Sequence, residues 1–188
     1  GHIGIAIRPK PGESDCGDAA GHWRDGENTL LCLVDGLGHG GPAAQAADAA
    51  IASIAGLRDR PLEAMIEYCD AHLRHTRGLA MGLALIEPAQ ARVSYIGVGN
   101  IRALRLGTPH RRFVNTHGIV GGGYGPLFRD CQPLLAGDLI ILYSDGIAEI
   151  TDPLHHVPLS HAPQAMAECL LAELASERDD AAVLVFRA

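Results

Sequence analysis

Leu30-Leu31-Cys32-Leu33-Val34-Asp35-Gly36 decides the fold class, and Leu139-Ile140-Ile141-Leu142-Tyr143-Ser144-Asp145-Gly146 repeats its form far downstream. Each is a short apolar run that ends in Asp-Gly. Runs of this length, bounded by glycine, read as buried strands, so each aspartate leaves the core at a fixed point on a rigid element. Only tertiary folding brings the two together. The expectation is geometric: both strand ends meet at the same edge of the sheets, where two carboxylates form the start of a metal site.

Upstream of the first run, Ile3 to Arg8 is a short strand broken by Pro9, Pro11 and Gly12. A loop carrying Asp15 and Asp18 follows, and Trp23 to Asn28 approaches a hairpin turn at Asp25-Gly26. Beyond Gly36 a glycine-dense loop reaches Gly41, Pro42 stands at a first helical position, and Ala43 to Leu57 is an alanine-rich helix. A second helix opens at Pro61 and ends near Arg77-Gly78, with Leu62, Met65, Ile66, Cys69 and Leu73 on one face. The period then changes. Leu79 to Ile86, Arg92 to Ile96 and Ile101 to Leu106 read as an antiparallel meander. The glycine-rich Thr116 to Arg129 is a long loop or bent edge, Pro153 to Pro163 a polar connection, Ala162 to Glu177 a last helix and Ala181 to Phe186 a closing strand. Helices set between blocks of consecutive strands favour a layered α+β domain over βαβ units.

The chain has 188 residues, 47% of them hydrophobic, which suits a single domain over 1–188 with one well-covered core. A formal net charge of −7, with Lys10 the only lysine, argues against nucleic acid. The five cysteines are scattered without a C-x-x-C pair, as expected of small core hydrophobes in a reducing cytoplasm. Neither a membrane span nor a signal peptide is expected. Aromatics make up only 4%, so the core must be built from aliphatic side chains and alanine, and helices pack close on the sheets.

Four acidic positions lie at strand ends or in loops beside glycine or another acid: Asp18, Asp35, Asp145 and the pair Asp179-Asp180. Carboxylates are hard donors that suit Mg²⁺ or Mn²⁺, and the lack of Cys and His at ligand spacing argues against zinc. Gly36 lets the backbone turn so that its own carbonyl can face the ion held by Asp35. Any one Asp-Gly alone is an ordinary turn. Together they point to a metal centre.

In order along the chain, Cys16-Gly17-Asp18, Val34-Asp35-Gly36-Leu37-Gly38-His39-Gly40 before an alanine-rich helix, Gly97-Val98-Gly99-Asn100-Ile101, Gly118-Ile119-Val120-Gly121, Gly137-Asp138-Leu139 to Asp145-Gly146, and Asp179-Asp180-Ala181-Ala182 resemble the SpoIIE-type branch of the PPM (type 2C) metal-dependent serine/threonine phosphatases. The layout is most similar to the stand-alone stressosome phosphatases of that branch. The resemblance implies a four-layer α-β-β-α sandwich of two antiparallel sheets flanked by helices. It implies two Mn²⁺ or Mg²⁺ ions, with Asp35 bridging, Asp18 and the Gly36 carbonyl serving one ion, and Asp145 with Asp179 serving the other. Asp180 and Gly146 stand behind these ligands, and His39 is placed to assist proton transfer, a solvated loop histidine being its plain reading. The implied reaction is attack of metal-activated water on phosphoserine or phosphothreonine. The implied partners are phosphorylated STAS-domain proteins, either stressosome components or an anti-anti-sigma factor. Arg8 and Arg24 are candidates for holding the substrate phosphate, on position only.

Two rivals compete. Gly36-Leu37-Gly38-His39-Gly40-Gly41 also fits the G-x-G-x-x-G turn of a dinucleotide-binding oxidoreductase, which requires a parallel βαβ unit that the following second helix does not supply. A non-catalytic docking module would carry a degraded metal site, whereas all four carboxylate positions are intact. His155, His156 and His161 read as solvated side chains, and Gly121-Gly122-Gly123 as a surface loop. Arg111-Arg112 marks a small basic patch for an acidic partner or phosphoprotein, a solvated turn being its plain reading.

Overall fold

The computed structural model describes residues 2–188. The chain runs β1 (Ile3–Arg8), β2 (Asp18–Asp25), β3 (Asn28–Gly36), α1 (Gly41–Ala55), α2 (Leu62–His72), β4 (Leu79–Glu87), β5 (Arg92–Val98) and β6 (Arg102–Leu106). Short strands follow: β7 (Arg111–Arg112), β8 (Asn115–Thr116), β9 (Gly118–Ile119), β10 (Gly123–Tyr124) and β11 (Asp130–Pro133). Then come β12 (Leu139–Tyr143), the one-turn α3 (Pro153–His156), α4 (Pro163–Leu174) and β13 (Ala181–Arg187).

One sheet has the order β1-β13-β12-β6-β7 and the other β11-β5-β4-β3-β2, with β8 added in parallel to β5. The period-two alternation of each buried run explains the stacking. In β3, Leu30, Cys32 and Val34 face α1 and α2, while Leu31 and Leu33 face the opposite sheet. In β12, Ile140 and Leu142 face that same inter-sheet core, while Leu139, Ile141 and Tyr143 face α4. Strands that bury both faces carry unbroken apolar runs. The result is the expected α-β-β-α sandwich. The buried alanines Ala43, Ala46, Ala47 and Ala50 on α1 let that helix lie close on its sheet.

Three local expectations change. β2 starts at Asp18 rather than near Trp23, because its whole length pairs with β3 and that pairing outweighs the poor strand preference of Ala19-Ala20-Gly21. α2 stops at His72, short of Arg77. The meander is broken: β4 and β5 pair in one sheet, but Gly99-Asn100-Ile101 carries the chain across, and β6 pairs with β12 in the other. Apolar period does not encode which partner a strand will choose. The Thr116–Arg129 segment, expected as a long loop or bent edge, holds the end of β8 and the short strands β9 and β10.

Candidate metal centre

Both Asp-Gly strand ends lie at one edge of the sandwich. Asp35 and Asp145 line a single cleft of about 330 Å³, together with His39, Asn100, Arg178 and Asp179. Asp18 faces Asp35 as its Cα partner across the β2–β3 ladder. One sheet therefore supplies Asp18 and Asp35, and the other supplies Asp145 and Asp179.

The backbone explains why these positions are flanked by glycine. A side-chain carbon on Gly146 would lie 1.7 Å from the Asp180 carbonyl oxygen, so the two turns from β12 and into β13 pack backbone against backbone. A carbon on Gly36 would lie 2.3 Å from the Ala43 carbonyl, so α1 starts directly on it. Gly36 itself is not in a left-handed conformation, unlike Gly38 at φ +83 and Gly40 at φ +72. Close approach to α1, not the sharp turn expected from the sequence, is what requires glycine there.

Hydrogen bonds lock the carboxylates. The Ser144 hydroxyl donates to Asp18 Oδ2, and the Ala182 N–H donates to the Ser144 Oγ at 3.0 Å. Asn100 Nδ2 donates to Asp145 Oδ2 at 2.8 Å. Asp180, 2% exposed, accepts from the Lys10 N–H at 2.7 Å and the Gly17 N–H at 2.9 Å, which pins the loop leading to Asp18. The Gly36 N–H donates to the Gly17 carbonyl at 2.8 Å. His39 Nδ1 lies 2.9 Å from Glu13 Oε1 at the exposed rim of the cleft.

Crowding raises the carboxyl pKa values. Burial, opposed by the Ser144 hydrogen bond and reinforced by the charges of Asp180 and Asp145, pushes Asp18 up to about 7. Burial and the neighbouring Asp18 and Asp145 raise Asp35 further still. Asp179 is raised by burial and by Asp145. Packed carboxylates of this kind need either protons or a cation.

The residues fit hard divalent cations. Asp18 Oδ1 is buried with no hydrogen-bond partner, an acceptor left open in a site 3% exposed. Among the described residues no three His, Cys, Asp or Glu side chains converge to cage an ion by themselves, so carbonyl and water would complete the shell, as Mg²⁺ accepts.

Two candidates for a phosphate-holding arginine are corrected. Arg8 is turned away to the Ser176 carbonyl and Glu177, and Arg24 pairs with Thr29 at the opposite end of the β2–β3 hairpin from Asp18. Arg178 lines the cleft instead. Asn100 and Ser144 enter the site with roles that nothing in the sequence assigned to them. Ser144 adjoins Asp145, but its partner lies on the other sheet, where no local signal reaches. The dinucleotide rival fails on topology, since β3 is antiparallel to both β2 and β4.

Residues 25–188 match the family model described as Stage II sporulation protein E (SpoIIE). Phosphoserine phosphatase RsbX of Bacillus subtilis (strain 168) is 23% identical over 173 residues, covering 91% of this chain and 86% of that protein. A chain solved in work on the bacterial stressosome, a modular system adapted to control secondary messenger signaling, is 31% identical over 99% of this chain and 98% of its own, with a TM-score of 0.94. The structure of RsbX in complex with magnesium superposes with a TM-score of 0.86 at 22% identity, over 97% of this chain and 92% of that one.

Proposed function

We propose, from the premise that this chain belongs to the SpoIIE family, that it is a metal-dependent protein phosphatase acting on phosphoserine or phosphothreonine. The observation that carries this reading is the pairing of Asp18 with Asp35 at the sheet edge that also receives Asp145 and Asp179, with Asp18 Oδ1 buried and open. The relative named phosphoserine phosphatase and the magnesium complex of RsbX support it.

Two Mg²⁺ or Mn²⁺ ions, when bound, supply charge to the phosphoryl oxygens and lower the pKa of water. In our reading Asp35 would serve both ions, Asp18 and the Gly36 carbonyl would hold one, and Asp145 with Asp179 would hold the other. Ser144 and Asn100 fix the orientation of Asp18 and Asp145, while Asp180 and Gly146 set the backbone behind them. Arg178 meets the substrate phosphoryl charge in the cleft. Ordered by Glu13 at Nδ1, His39 offers Nε2 to take or return a proton at the rim.

The substrates proposed are phosphorylated STAS-domain proteins of a bacterial stress or sigma-factor pathway, either stressosome components or an anti-anti-sigma factor. The stressosome chain and RsbX support that class. The five free cysteines fit action in a reducing cytoplasm.

Mn²⁺-dependent hydrolysis of p-nitrophenyl phosphate tests the reading. Wild-type protein turns it over, and Asp35→Asn abolishes turnover while circular dichroism stays native. Unchanged turnover in that variant overturns the site, and no metal-dependent turnover in the wild type leaves a docking module of the same fold.

A further inference from the structure

We propose that a basic track leading out of the metal cleft docks an acidic segment flanking the phosphorylated residue of the substrate protein, an inference that rests on the phosphatase reading above. The cleft shares Asn100 with a second groove of about 290 Å³, lined by Arg102, Arg112, Phe113 and Glu149 among others. That groove in turn shares Arg112 with a third, of about 210 Å³, which adds His110 and Arg111. Three depressions thus abut in series along β6 and the β7 sheet edge, beginning at the residue that orients Asp145.

Among the described residues, the charges left unpaired along this line are positive. Arg112 is held in place by the Tyr143 hydroxyl at 3.3 Å and the Ile150 carbonyl, and its one acidic neighbour, Glu149, lies 3.6 Å away and is itself half exposed. Arg102 and Arg111 make no ion pair among the described residues. Arg105 in the third groove is neutralised by Asp138 at 2.8 Å and adds nothing. On a chain of net charge −7, two unpaired arginines, Arg102 and Arg111, on either side of the Arg112–Glu149 pair give a local excess of positive charge beside the active cleft. Charge complementarity selects an acidic partner there, and exposed pairs of this kind confer specificity and encounter rate more than raw affinity, with strong dependence on salt.

Two phosphoserine peptides of equal length test this, one flanked by Asp and Glu and the other by Lys and Arg. In Mn²⁺ at low salt, wild-type kcat/KM for the acidic peptide exceeds that for the basic one by about tenfold or more, and the ratio shrinks as salt rises. The double variant R102E/R111E inverts the ratio, and R102Q/R111Q flattens it. Because the ratio is taken within one preparation, a partly misfolded variant does not distort it. Equal rates for both peptides in the wild type, or a ratio unchanged in the variants, overturns the track. Wild-type turnover of p-nitrophenyl phosphate separates the two failures: if it is hydrolysed while the peptides are not distinguished, only docking falls, and if it is not, the phosphatase reading and the docking fall together.

Discussion

Ser144 and Asp18, 126 positions apart, are joined by a hydrogen bond that spans the two sheets, the hydroxyl donating to Oδ2. Ser144 is fully buried and also accepts from the Ala182 N–H, so it is fixed before any ion arrives. Loss of a partner that orients a ligand in this way commonly costs about 10–100-fold in metal affinity or activity.

Ser144→Ala therefore raises the Mn²⁺ concentration needed for half-maximal hydrolysis of p-nitrophenyl phosphate, by about tenfold or more. Turnover at saturating metal falls much less. A metal titration identical to wild type would show that Asp18 needs no such support.

Asn100 holds Asp145, on the opposite sheet from Asp18. Asn100→Ala frees Asp145 and raises the metal requirement, whereas Asn100→Asp adds a fourth carboxyl to the cleft that Asp35, Asp145 and Asp179 line and lowers stability of the metal-free protein as well. Calorimetric metal titration of both variants distinguishes loss of orientation from added repulsion.

The raised carboxyl pKa values give the metal-free protein a defined pH response. Asp18 keeps its proton in the fold up to about 7, against 3.8 for an unperturbed aspartate, and Asp35 keeps its own beyond that. Between those values the native state binds more protons than the unfolded chain, so stability falls as pH rises. Thermal melts of metal-stripped protein should show Tm declining from about pH 4 through about pH 7 and above, with added Mg²⁺ or Mn²⁺ opposing the decline. A flat profile without metal would contradict the packing of these groups.

Away from the cleft, Arg105 and Asp138 form a buried ion pair at 2.8 Å, with side chains 3% and 9% exposed, and Arg105 also donates to the Pro109 carbonyl. Arg105→Ala strands the Asp138 charge and costs about 3–5 kcal/mol. Urea unfolding followed by circular dichroism measures this directly.

Much of this architecture was legible from local pattern. The runs into Asp35 and Asp145 specified buried strands, because both faces of β3 and β12 are covered and every position had to be apolar. The same runs located two of the carboxylates, and Asp18 and Asp179 followed from neighbouring glycine or acid. Asn100 and Ser144 escaped because each acts on a residue 45 or 126 positions away, and a polar residue in a turn looks alike with or without such a partner. The crossing of β6 to the other sheet escaped for a related reason. Strand period reports which face is buried, and says nothing of which neighbour supplies the hydrogen bonds.

The division of the carboxylates between sheets makes the centre a vernier for the sandwich. Asp18 and Asp35 ride on one sheet, and Asp145 and Asp179 are delivered by the other, so their spacing is set by how the two sheets are aligned. One strand step is about 3.3 Å, which is larger than a metal–oxygen bond. A displacement of one sheet against the other by a fraction of that step would part Asp18 and Asp35 from Asp145 and Asp179 without unfolding a strand. The alignment of the two sheets and the spacing of the four carboxylates are therefore one and the same quantity.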